Sequence, residues 1–140
     1  MDKKISFEEN WQAQHWKSIV SAYRNSAFFE YYEVEVGESL LKREENLSAY
    51  LLSQIQLISS LLNIDTSISL TDQFLSEGKY ENDLRKAFDP SRKHFPNWFI
   101  FQPYPQVFEG FQVGLSILDL LFNIGPETKN FLAKSVAKDR

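Results

Sequence analysis

The chain has no cysteine. That removes a disulfide framework, a thiolate metal site and a cysteine nucleophile together, and it suits a reducing compartment. Histidine is scarce: His15 and His94 stand far apart, without carboxylates at ligand spacing, so no metal site is expected. The five glycines do not gather into a phosphate-cradling loop, and no serine is framed as G-x-S-x-G. Positive charge is not in excess either. Fifteen Lys and Arg against 19 Asp and Glu give a net charge of −4, with no basic stripe, which argues against a nucleic-acid partner. The closest approach to a basic run, Arg92-Lys93-His94, reads as a solvated loop. No stretch nears the roughly 18 apolar residues of a membrane span. The opening Met1-Asp2-Lys3-Lys4 runs into polar sequence without the apolar core of a signal peptide. The expectation left standing is a cytoplasmic protein that calls for no metal and no cofactor.

What is present is bulky apolar material. Hydrophobic residues make up 43% of 140, with twelve Phe, six Tyr and three Trp, which suits one domain over 1–140. A chain of this size buries roughly two thirds of its unfolded surface. Trp16, Ile19, Val20 and Tyr23 follow helical spacing, and Trp11 and His15 extend that face up to a stop near Asn25-Ser26. Phe28-Phe29-Glu30-Tyr31-Tyr32 is an aromatic knot suited to core packing. Glu33-Val34-Glu35-Val36 alternates like a strand that stops at Gly37. Residues 45–63 carry the clearest helix, with Leu47, Leu51, Ile55, Ile58 and Leu62 at intervals of three to four and Asn63 at its end. Residues 64–70 and 98–101 read as short strands, and 82–88 as a short helix. Pro90, Pro96, Pro103 and Pro105 keep 89–106 extended or turning. A helix from about Leu115 ends at Gly125-Pro126, and a second short one follows. The expected fold is mostly α, of α+β class: a compact helical domain of four to five helices with two or three short strands.

Two features bear on chemistry. Ser116, Asp119 and Asn123 share one face of an otherwise apolar helix. Such a stripe faces an internal hydrogen-bond network that docks the Pro-rich segment, a substrate, or water, since a buried unpaired carboxylate is costly. The second feature is Gln102-Pro103-Tyr104-Pro105-Gln106-Val107-Phe108. Its prolines stiffen the backbone, so that Tyr104 and Gln106 either line a pocket or brace the fold. His15 reads either as a hydrogen-bonded residue at the core margin or as a base.

The block from Pro103 to Glu109, followed by Leu115 to Glu127, resembles the closing signature of WbqC-like proteins. The opening block agrees: Trp11-Gln12, His15-Trp16, Ser21-Ala22-Tyr23, and Ser26-Ala27-Phe28-Phe29-Glu30-Tyr31-Tyr32. Asp83-Leu84-Arg85 resembles a middle element loosely and carries no role. The resemblance runs from about Trp11 to Glu127. Proteins of that family usually begin with a further proline- and aromatic-rich segment bearing an arginine-asparagine motif, and this chain is expected to start after it. The resemblance implies bacterial surface-polysaccharide (O-antigen) biosynthesis, with acyl or aminoacyl transfer to an amino sugar. Carried over by position, His15 and Asp119 are the expected catalytic pair, and Tyr23, Tyr104, Gln106 and Asn123 the expected substrate-binding residues.

Two hypotheses follow. In the first, the chain is an enzyme acting on a sugar nucleotide or lipid-linked sugar, with His15 as base and Asp119 as orienting group. It requires those side chains to converge on one concave pocket. In the second, it is a non-catalytic interaction module, subunit or inactive truncated member. That version leaves an aromatic patch around Phe28 to Tyr32 for a second copy, or for a protein supplying the missing N-terminal segment.

Overall fold

In the computed structural model the described residues are 3–74, 76, 78–79, 83–85, 96 and 98–136. Among them are five α-helices: α1 (Trp11–Tyr23), α2 (Phe29–Leu41), α3 (Leu47–Leu61), α4 (Ile117–Ile124) and α5 (Thr128–Lys134). A 3₁₀ turn, Gly125–Glu127, joins the last two. The expected short strands are absent among the described residues. Two isolated antiparallel bridges stand in their place, Lys4 to Asn46 and Phe99 to Val136. Residues 64–70 form no strand. The helix expected over 82–88 lies largely outside the described residues, as does His94.

The second helix corrects the largest misreading. Glu33 to Val36 belongs to α2. Phe29, Val36 and Gly37 are buried on one side, with Tyr32, Glu33 and Leu40 half-buried beside them, and this is a 3.6-residue period. Val34, on the opposite side, is exposed. Four alternating residues are too few to separate the two periods when glutamates supply the alternation. Gly37 is a packing residue here, because a Cβ on it would stand 2.9 Å from Trp16 Cζ2. The aromatic knot opens this helix and fans around it. Phe29 is buried, while Tyr31 is 74% exposed.

The core is Phe29, Val36, Leu62, Leu121 and Phe122, with Trp16, Ile19, Val20, Tyr23, Ile58 and Leu132 packed against it. Burying each large side chain contributes about 1.5–3 kcal/mol. Phe29 meets Phe122 edge-on at 5.0 Å and stacks on Trp16 at 6.2 Å, which ties the N-terminal helices to α4.

The helix ends are closed by identifiable groups. In α3, Asn46 Oδ1 accepts from Ala49 N at the start. Asn63 (φ 51°) follows the C-cap Leu62, with Asn63 N bonded to Ser60 O and Ile64 N to Ser59 O, a Schellman motif. The C-terminus of α2 is closed from outside. Gln12 Nε2 donates to Leu40 O (2.7 Å) and Lys42 O (2.8 Å), Tyr50 Oη to Leu40 O (3.0 Å), and Gln54 Nε2 to Ser39 O (3.0 Å). These take up carbonyls that a helix end leaves without intrahelical partners. Gly125 (φ 52°) ends α4 where a Cβ would fall 2.5 Å from the Phe28 ring, so both its backbone and its neighbour exclude a side chain.

Candidate functional site

Asp119 lies in the first turn of α4, three residues after Ser116. The spacing imitates a capping box, yet Ser116 makes no side-chain cap bond. The carboxylate turns instead toward the Pro-rich segment. Asp119 Oδ2 accepts from Tyr104 Oη at 2.5 Å and from Gln106 Nε2 at 3.1 Å. Its position near a helix N-terminus favours negative charge there. Asp119 is fully buried, and its Oδ1 has no hydrogen-bond partner among the described residues. An unsatisfied buried acceptor costs about 1–3 kcal/mol. Ser26 Oγ and Thr128 Oγ1 are buried without partners as well.

The tyrosines respond to this group. Burial first, and then the charge of Asp119 and hydrogen bonding to it, raise the Tyr23 phenol to about 12. Burial likewise raises Tyr104, and its hydrogen bond to Asp119 holds the phenolic proton further. Tyr104 is held edge-on between Phe111 and Phe131, each at 5.3 Å. Tyr23 packs on Phe122 at 5.3 Å and meets Phe108 at 6.5 Å.

Gln106 does two jobs. Its Oε1 accepts from Gln112 N (2.8 Å), and its Nε2 donates to Gln112 O (3.0 Å). The side-chain amide thus pairs with residue 112 as a second backbone strand would, closing the loop 107–111. Beneath that loop lies a cleft of about 400 Å³, lined by Tyr23, Gln106, Phe108, Glu109, Phe111 and Leu115 among others. Asp119 is not part of that lining but is hydrogen-bonded to it through Gln106.

The structure therefore gathers Tyr23, Tyr104, Gln106 and Asp119. Asn123 is beside them, but its Nδ2 donates to Asp119 O (2.8 Å), one turn back along its own helix. His15 is not brought there. It is exposed, with its ring against Trp11 at 5.3 Å. Eight residues along α1 separate it from Tyr23, about 12 Å of axial rise and about 80° of rotation. The sequence reading missed Glu109 and Phe111 as lining residues and Gln12 as a cap. The first two could have been found from their nearness to Gln106, while Gln12 carried no local signal. Among the described residues, no group of three metal-ligating side chains occurs, and no helix is long and apolar enough to cross a membrane.

The family model described as the WbqC-like protein family matches residues 1–94 and 92–131, extending the likeness beyond Trp11 and Glu127. The uncharacterized protein Rv1507c of Mycobacterium tuberculosis is 28% identical over an alignment covering 88% of this chain. The chain spans 64% of that relative's length. No solved structure matches.

Proposed function

The chain belongs to the WbqC-like protein family, and from that premise we propose that it acts in bacterial surface-polysaccharide biosynthesis, in the cytoplasm, on an amino sugar held in the cleft over Asp119. The reaction is acyl or aminoacyl transfer from an activated ester. The sugar nitrogen bonds to the acyl carbon, the bond from that carbon to its carrier breaks, and the carrier leaves with the proton that the nitrogen gives up. The observation that carries this reading is the orphaned Oδ1 of a fully buried carboxylate whose other oxygen is held by Gln106, a residue of the cleft lining. A protein keeps such a cost where something offsets it.

The roles follow from position. Tyr23 and Gln106 face the ligand and offer a phenol and an amide. Phe108 and Phe111 give the apolar surface on which a sugar's C–H face rests. Asp119 is a positioning residue that fixes Tyr104 and Gln106. Asn123 holds the α4 backbone under it. His15 takes no part in the cleft on this reading.

Ligand-observed NMR with glucosamine and N-acetylglucosamine tests it. Saturation transfer to at least one sugar, lost in both Tyr23→Ala and Gln106→Ala, is the expected result. Absence of transfer to either sugar overturns the reading.

A further inference from the structure

Taking the cleft as the sugar site proposed above, we infer that it accepts the aminated sugar as its protonated ammonium and disfavours the same sugar once the nitrogen is acylated. Three observations carry this. The lining includes Glu109 and, among the described residues, no Lys, Arg or His. Joined to it through Gln106 is Asp119, with one carboxylate oxygen unpartnered. The walls include three aromatic rings, Tyr23, Phe108 and Phe111, and an aromatic face adds an electrostatic attraction for a cation that a neutral group does not receive.

Tyr23, on the cleft wall, has its phenol raised by burial first and then by the nearby Asp119. An ammonium brings three donors and a positive charge to this acidic, aromatic hollow. Before the nitrogen can attack, the bound ammonium gives one proton to water; the neutral amine then gives its second proton to the departing carrier, and acylation leaves one N–H and no charge. The product therefore loses the attraction that held the substrate, and release follows from the chemistry itself. Cations of the chain line a different hollow, of about 420 Å³, where Lys17 and Arg24 stand with Trp16 and Ser21. Any phosphate on the ligand thus lies outside the acidic cleft. The class of reaction supplying the ligand must be one that leaves a free primary amine.

The test uses the full chain and four probes: glucosamine, glucose, N-acetylglucosamine and methylammonium, titrated by NMR. Glucosamine is expected to bind about tenfold more tightly than the other two sugars, with affinity falling as pH rises through its own amine pKa. Glu109→Gln, at an exposed position, and Asp119→Asn should each shrink that preference. Equal binding of the three sugars, or a preference unmoved by both substitutions, overturns the inference and leaves the sugar site standing. Methylammonium that binds at Tyr23 where no sugar does supports the cation site while removing the carbohydrate reading. Silence from all four probes overturns both.

Discussion

The C-terminus of α2 and the start of α4 are both partly buried places where side chains meet helix ends, and they are finished differently. At α2, Gln12, Tyr50 and Gln54 make four hydrogen bonds to three carbonyls, Ser39, Leu40 and Lys42. At α4, Asp119 has two donors on one oxygen and none on the other. A fold that can complete one polar cluster and leaves the next incomplete separates holding from binding. Saturated groups maximise stability, and an unsaturated one keeps free energy available for a ligand.

Four measurements break or sharpen this contrast. Gln12→Leu leaves the Leu40 carbonyl with Tyr50 alone and takes the side-chain donor from Lys42, and should cost about 2–3 kcal/mol in urea unfolding, without altering the cleft. Tyr104→Phe removes one donor from Asp119 and should cost about 1–2 kcal/mol. It should also weaken ligand binding, which Gln12→Leu should not do. Asp119→Asn keeps an acceptor for Tyr104 while removing a buried charge, so stability should move by under about 1 kcal/mol while ligand preference is lost. A loss as large as that of Gln12→Leu would make Asp119 a structural residue and erase the distinction.

The smallest effect is confined to alkaline pH. Tyr23 has its folded pKa raised from 10.0 to about 12. Its contribution is therefore intact below pH 10 and is lost as pH climbs toward 12, because the unfolded chain gives up the proton first. Tyr23→Phe should flatten the decline in urea midpoint between those values. An unchanged slope would mean that Asp119 and burial do not act on this phenol.

The sequence was informative where contacts are local. The third helix declares itself through five apolar residues at helical spacing, and Asn63 marks its end because an αL residue is needed there. Gly125-Pro126 does the same for α4. Gly37 could not be read as packing, because its reason, the Trp16 ring, lies 21 residues away. Of the site, Asp119 was visible as a polar residue in an apolar helix, and Tyr104 and Gln106 as polar groups on a stiff segment. The loop that Gln106 closes was not, since a side chain pairing with a main chain leaves no periodicity. His15 was carried over by resemblance, and helix rotation turned it elsewhere.

The double pairing of Gln106 with residue 112 has a consequence for how such proteins diverge. Both ends of the intervening stretch are pinned by one amide, so exposed Val107 and Glu109 can change in identity without disturbing the helices below, while Phe108, Gly110 (φ 81°) and Phe111 are held by Tyr23, by the backbone and by Tyr104. Ligand preference can then drift among relatives while the scaffold stays constant, as long as that single glutamine is retained.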